Sequence, residues 1–216
     1  MKTFKLLPLY ILFVIAMSAS AQNMQEGFTY LETGKYAQAE TFFNDILKDY
    51  PDNKTARLCY GRAIGLNGKA QDANDLFTKL LKDYPNDFEV KLNYGESLLW
   101  NNNFTDAKVY YNTLVNEDSK SFAALLGYAN TLSNLKEYED ALTYVNRALE
   151  VSPGNPNAMT SKKYINLGYA YQNQQAQHYD KAELLLTKNL ELFGDDKDTL
   201  LNLANLYLIW EKYDAA

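Results

Sequence analysis

The chain contains 216 residues, of which 21 are Lys or Arg and 27 are Asp or Glu, with one His and one Cys. A single Cys excludes a disulfide within the chain, and one His with one Cys is too few for a zinc site built from these ligands. The net charge of −6 argues against broad binding to nucleic-acid phosphates, which requires clustered Lys and Arg.

The first 21 residues have the layout of a secretory signal peptide. Lys2 and Lys5 give a positive start, residues 6–17 are almost continuously apolar, and Ala19-Ser20-Ala21 forms a small-residue cleavage site. We therefore predict a signal peptide at 1–21, with an uncleaved N-terminal anchor as the alternative. After it, no stretch approaches the roughly 18 apolar residues of a membrane helix, so we expect no transmembrane segment in the mature chain.

A short phrase recurs along the rest of the chain, as in Gly34-Lys35-Tyr36-Ala37-Gln38-Ala39 and Lys136-Glu137-Tyr138-Glu139-Asp140-Ala141. The period is 34 residues except for one step of 41, between the fourth and fifth copies. The alanines that end the copies are Ala39, Ala73, Ala107, Ala141, Ala182 and Ala216.

Apolar residues three, four and seven apart predict two amphipathic helices in each period. Small residues such as Gly61 and Ala73 would let the two helices approach, and Gly34, Gly68 or Asn102 would end the first helix in the left-handed conformation. The predicted helices are 22–33, 37–50, 54–67, 71–84, 88–101, 105–116, 122–135, 139–151, 157–174, 179–193 and 197–211.

The longer fifth period predicts an insertion of seven residues. We assign about five of them, Pro156 to Thr160, to the front of the fifth first helix. The other two are assigned to a lengthened turn at Gln174 to His178, because surface turns tolerate insertions.

These residues resemble the tetratricopeptide repeat, and Tyr164-Ile165-Asn166-Leu167-Gly168-Tyr169-Ala170-Tyr171 is similar to its first-helix consensus. The resemblance implies an all-α fold, a right-handed superhelix (α-solenoid) of about 5.5 helix–turn–helix repeats at 22–216. The expected repeats are approximately 22–53, 54–87, 88–121, 122–155, 161–196 and a partial copy at 197–216.

Few side chains in the chain could carry out catalysis or bind a metal. His178 is expected to be an exposed turn residue, and Cys59 a partly buried hydrophobic residue too far from His178 to form a nucleophilic pair. The carboxylates Asp195, Asp196 and Asp198 are interpreted as helix caps, because a calcium loop needs more ligands. We therefore expect no enzyme activity, no cofactor and no metal.

The resemblance also implies a binding surface, since the family binds extended peptides through first-helix residues on its concave face. No Lys or Arg occupies the fifth position of any first helix, so a carboxylate clamp of the chaperone-binding type is not expected. The predicted contact residues are Arg62, Glu96, Leu99, Trp100, Asn130, Asn134, Tyr169 and Asn205. Each of these residues could instead pack between repeats.

The sequence thus predicts an exported, non-catalytic scaffold that binds a protein or an extended peptide, and no nucleic acid. An alternative is the N-terminal periplasmic portion of a longer outer-membrane β-barrel or polysaccharide-export protein. The expected location is the periplasm or outer membrane of a Gram-negative bacterium. The last predicted helix is apolar on more than one face, which predicts self-association through it or a chain that continues beyond Ala216.

Overall fold

The computed structural model describes residues 24–211, and this part of the chain is helical, without strands. The predicted helix bounds agree with the observed ones to within two residues, while the predicted signal peptide lies outside the described residues. The helices are α1 (24–32), α2 (Tyr36–Asp49), α3 (Lys54–Leu66), α4 (Ala70–Asp83), α5 (Phe88–Trp100), α6 (Phe104–Glu117), α7 (Phe122–Asn134), α8 (Tyr138–Val151), α9 (Pro156–Gln175), α10 (Tyr179–Phe193) and α11 (Lys197–Ile209).

The chain divides into two compact units between Asn101 and Asn102. The first unit contains α1–α5 and the second contains α6–α11. Within each unit, neighbouring helices pack in sequence order, and first helices also contact each other, α3 with α5 and α7 with α9. This packing confirms the predicted all-α solenoid class. No helix in 24–211 has both the length and the apolar character needed to cross a membrane.

A capping side chain at the N-terminus and a left-handed residue after the C-terminus fix the first helices that the structure describes at both ends. At the N-terminus a side-chain oxygen accepts a hydrogen bond from the backbone N–H three residues later, which satisfies one of the free donors of the first turn. The capping residues are Asn53, Asp87, Ser121, Asn155 and Asp196. At the C-terminus a residue with positive φ reverses the chain, and these residues are Gly34, Gly68, Asn102, Lys136, Gln177 and Glu211.

Small residues allow the helices to approach closely, as the repeat pattern predicts. A Cβ atom added at Gly61 of α3 would lie 2.5 Å from the ring of Phe77, which is fully buried in α4. In the second unit a Cβ atom at Gly127 would lie 2.3 Å from Tyr111. The repeated alanines are also fully buried where the structure describes them, namely Ala39, Ala73, Ala107, Ala141 and Ala182.

All seven inserted residues lie within α9, so the predicted lengthening of the turn at Gln174 to His178 is wrong. Helices α3, α5, α7 and α9 begin 34 residues apart, and the turn residue Gln177 precedes Ala182 by five residues, as Lys136 precedes Ala141. The turn therefore has its usual length. The whole insertion is helical, and α9 has 20 residues where α7 has 13.

The insertion shifts the part of α9 that pairs with α10 along α8. Gly127 of α7 approaches Tyr111, which lies four residues after Ala107. Gly168 of α9 instead approaches Tyr138, which lies three residues before Ala141. The contact has moved by seven residues, or about two helical turns and roughly 10 Å.

Two ion pairs connect a first helix to the N-cap of the next one. The Lys54 Nζ atom lies 2.5 Å from the carboxylate of Asp87, and the Lys163 Nζ atom lies 2.8 Å from that of Asp196. In both pairs the carboxylate also caps its own helix. The same contact therefore occurs once in each unit.

Candidate partner-binding surface

Two charged candidates lie on neighbouring first helices of the first unit. Arg62 is exposed on α3, and Glu96 holds the equivalent place on α5, half-buried. Burial raises the pKa of the Glu96 carboxyl group, and the positive charge of Arg62 opposes that rise. The electrostatic interaction and the contact of α3 with α5 place both residues on one local surface.

Trp100 has a clear packing contact in the same unit. A Cβ atom at Gly65 would lie 2.2 Å from the Trp100 ring, and the centroid of that ring is 6.4 Å from the centroid of Phe77. Glycine at position 65 is therefore needed for the indole to reach the core. Trp100 and its neighbour Leu99 remain half-buried, so each keeps some surface for a partner.

The amide candidates of the second unit remain accessible. Asn134 is exposed near the end of α7, and its amide Nδ2 donates a 2.8 Å hydrogen bond to the carbonyl oxygen of the half-buried Asn130. Asn205 is exposed on α11. These side chains carry both a donor and an acceptor, which suits recognition of a peptide backbone.

Tyr169 lies in the core rather than on the surface. Its side chain is 8% exposed, its ring stacks on Tyr138 with centroids 6.0 Å apart, and it packs in the cluster that contains Ala182. Lys181 donates a hydrogen bond to its hydroxyl and places its ammonium 4.5 Å from the ring centroid. The structure therefore gives Tyr169 a packing role, which was its alternative in the sequence.

Two exposed tyrosines of α9 were missed by the sequence reasoning. The similarity to the consensus at Gly168 set the register of this helix two residues too early, whereas the buried Ala170 holds the equivalent place. With Ala170 as reference, Tyr171 takes the place of Arg62 in α3, and it is 58% exposed. Tyr164, one heptad earlier, is 54% exposed. Counting twelve residues back from Ala182 gives Ala170 as the reference residue, and the next residue, Tyr171, would then have been identified.

The side chains that could act as a nucleophile, a base or a metal ligand do not form a reactive site in the structure. Burial raises the pKa of the Cys59 thiol to about 11, which keeps it protonated and poorly nucleophilic at neutral pH. His178 is exposed before α10 and makes no capping hydrogen bond. Asp196 accepts hydrogen bonds from Thr199, as expected of a cap. Within residues 24–211, no group of three or more His, Cys, Asp or Glu side chains could hold a metal.

Sequence comparison identifies the repeat independently. Two models described as "Tetratricopeptide repeat" match the chain, one over residues 25–88 and the other over 66–123 and 101–160. Together they cover more than half of the chain. No curated protein matches it.

Several solved structures share the fold. PilW, a type IV pilus biogenesis factor, is 21% identical with a TM-score of 0.70, over 92% of this chain and 89% of PilW. A tetratricopeptide repeat protein from Parabacteroides merdae is 18% identical with a TM-score of 0.61, over 89% and 73% of the two chains. YrrB, described as having an unusual peptide-binding site, is 18% identical with a TM-score of 0.58, over 88% and 96%.

Proposed function

Because the chain belongs to the tetratricopeptide-repeat family, whose members are generally non-catalytic scaffolds, we propose that it is an exported scaffold that binds another protein or an extended peptide. The proposed contact surface is the concave face that first helices line in this family. One observation carries the proposal: side chains on first helices of both units are exposed, and the fold does not require them. These exposed side chains are Arg62, Asn134, Tyr171 and Asn205.

The chemistry of these groups favours a peptide over a rigid anionic ligand. Asn134 and Asn205 can donate to and accept from a peptide backbone, while Tyr171 offers a large ring with a polar end. Arg62 and the half-buried Glu96 lie close together with opposite charges, so they do not form a cationic cluster. Leu99 and Trp100 add an apolar edge beside them. YrrB provides a precedent for peptide binding on this fold.

The proposed location is the periplasm or the outer membrane. Its basis is the predicted signal peptide at 1–21, and the similarity to PilW, described as a pilus biogenesis factor, agrees with a role in the cell envelope. The absence of catalytic activity is part of the same proposal. The buried Cys59 thiol and the exposed His178 support it.

Photo-crosslinking in cells tests the proposed surface. A photoreactive amino acid is placed at Arg62, Asn134 or Tyr171 on first helices, and at the exposed Lys82 or Asn112 on second helices as matched controls. We expect covalent adducts to one partner from the first-helix positions and few from the controls. Adducts only from Lys82 or Asn112 would place the binding surface on the second helices and refute the proposal.

Self-association through α11 is proposed as a second property. Leu201 and Leu208 are 58% and 55% exposed, and their spacing of seven residues places them on one helix face. Exposed apolar stripes favour association. Replacing both by Gln should lower the sedimentation coefficient at high protein concentration, while Leu184→Gln on α10, also exposed, should not. Equal sedimentation of all three proteins as monomers would refute this property.

A further inference from the structure

The second unit contains a pocket between α8, α9 and α10, with a volume of about 380 Å³. This volume lies in the range of small-molecule sites. The pocket is lined by second-helix residues of α8 and α10 together with the first half of α9. It is therefore separate from the exposed first-helix positions that we assign to protein partners.

Two lysines give this pocket its charge. Lys162 of α9 and Lys188 of α10 both line it, and neither has a carboxylate within ion-pair distance among residues 24–211. Burial, together with the positive charge of Lys188, lowers the pKa of Lys162. Glu191 is the remaining charged residue of the lining, so the three groups carry a net charge of +1. Lys162 is half-buried and Lys188 is exposed, and an anion bound between the two ammonium groups would offset their repulsion.

The rest of the lining is apolar and amide-bearing. Leucines Leu142, Leu185 and Leu192 supply the apolar surface. The amide of Asn166 already donates to Asn189 at 2.8 Å, whereas Asn146 makes no hydrogen bond within the described residues and can donate to a ligand. The pocket therefore combines cationic groups with apolar surface beside them.

The repeat itself shows that Lys162 is not required by the fold. The seventh residue of α3, α5 and α7 is a tyrosine, and these residues, Tyr60, Tyr94 and Tyr128, are all half-buried or buried. In α9, which carries the seven extra residues, the seventh residue is Lys162. Counted back from Ala182, the place of these tyrosines is taken by the buried Tyr169, so Lys162 belongs to the extra residues of α9 and has no counterpart in the other repeats.

We propose that this pocket binds a small organic monoanion, a carboxylate that carries an apolar chain. The carboxylate pairs with the ammonium groups of Lys162 and Lys188 and accepts a hydrogen bond from Asn146. The chain lies against the three leucines. A single negative charge neutralises the net charge of the lining, whereas a dianion would also face Glu191.

Isothermal titration calorimetry of the purified full-length protein tests the site, with octanoate as the probe. We expect octanoate to bind at least about tenfold more tightly than either acetate, which lacks the chain, or octanol, which lacks the charge. Lys162→Met and Lys188→Met should each weaken octanoate binding by about tenfold or more. Both variants should melt at or above the wild-type temperature, because each removes a charge repulsion. Lys120→Met, at an exposed lysine of the same unit, serves as the control and should change neither quantity.

Two results would overturn the proposal. Octanol binding as tightly as octanoate would mean that the pocket recognises only an apolar body. Unchanged octanoate affinity in Lys162→Met and Lys188→Met would place the anion elsewhere. The comparison of the three ligands on the unmodified protein decides the matter even if a variant fails to fold.

Discussion

The close contact between Gly61 and Phe77 allows a prediction for Gly61→Ala. Helix propensity would raise the free energy of unfolding, whereas overpacking would lower it. Replacing Gly by Ala inside a helix normally stabilises it by about 1 kcal/mol, because Ala restricts the unfolded chain and favours helix. At Gly61 the new Cβ atom would lie 2.5 Å from one carbon of the Phe77 ring and 2.9 Å from a second. Phe77 is fully buried, so its ring cannot turn out into solvent to relieve this contact.

Overpacking of a well-packed core costs typically about 1–3 kcal/mol. A contact of 2.5 Å with an immobile ring belongs at the upper end of that range. After subtraction of the helix-propensity gain, we expect Gly61→Ala to lower the free energy of unfolding by about 1–2 kcal/mol. The double variant Gly61→Ala/Phe77→Leu should lose less stability than the sum of the two single variants, with a coupling of at least about 0.5 kcal/mol.

Urea unfolding followed by circular dichroism measures these differences. Asn112→Ala, at an exposed helical position of α6, reports the propensity effect alone and should be neutral or slightly stabilising. If Gly61→Ala stabilises the protein as much as this control, the helices are not in close contact at this point. Additive effects of the two substitutions in the double variant would lead to the same conclusion.

Three further outcomes are expected. If the chain is expressed in a Gram-negative host, intact-mass measurement of the purified protein should show cleavage after Ala21, and a protein that retains residues 1–21 would contradict the signal peptide. Ala73→Leu should cost about 1–3 kcal/mol, since Ala73 is fully buried, and His178→Ala less than about 0.5 kcal/mol in thermal unfolding; the reverse order would contradict the repeat register. Hydrogen bonds from Lys163 and Thr199 lower the pKa of Asp196 to about 2. Because this folded value lies below the unfolded one, the stabilisation is complete above about pH 4 and is lost as the pH falls toward 2. Acid titration should therefore show a smaller loss in Asp196→Asn, and an unchanged pH profile would contradict the cap.

The fold followed from the sequence because its signals recur. The same small residue returns every 34 residues, and the spacing of Ala39, Ala73, Ala107 and Ala141 fixes both the helix boundaries and the contact between the two helices. A single glycine or alanine would not have carried this information. Because the pattern repeats, the helix boundaries predicted in one repeat are supported by those in the others.

The register of α9 was not predictable from the consensus alone. Tyr164, Leu167, Gly168 and Tyr171 reproduce a familiar spacing, yet both tyrosines are exposed and Gly168 packs on the preceding pair through Tyr138. The 20-residue helix α9 packs in two registers. Its start follows the repeat register relative to α8, and its pairing with α10 follows a register shifted by nearly two turns. The geometry of the turn at Gln177 and the distance from Ala182 both show which frame α10 uses.

The binding surface was the least predictable part of the molecule. A large side chain on a first helix can contact either a partner or its own core. The outcome depends on the residue opposite it, which the position within the repeat does not reveal. Trp100 reaches the core because Gly65 leaves room, and Tyr169 is buried because α10 lies against it. Small polar residues such as Asn134 were more reliably predicted to be exposed, since their side chains have little to gain from burial.

The pairs Lys54–Asp87 and Lys163–Asp196 have a consequence for how each unit unfolds. Each carboxylate holds the first turn of its own helix and, at the same time, the lysine of the preceding repeat. Fraying of one helix start therefore weakens the interface to its neighbour, which is the nearest-neighbour term that governs cooperativity in a linear array. A partly exposed pair of this kind contributes little stability by itself, because solvent screens it. At the junction, each pair adds to the coupling that favours adjacent repeats opening together rather than one at a time.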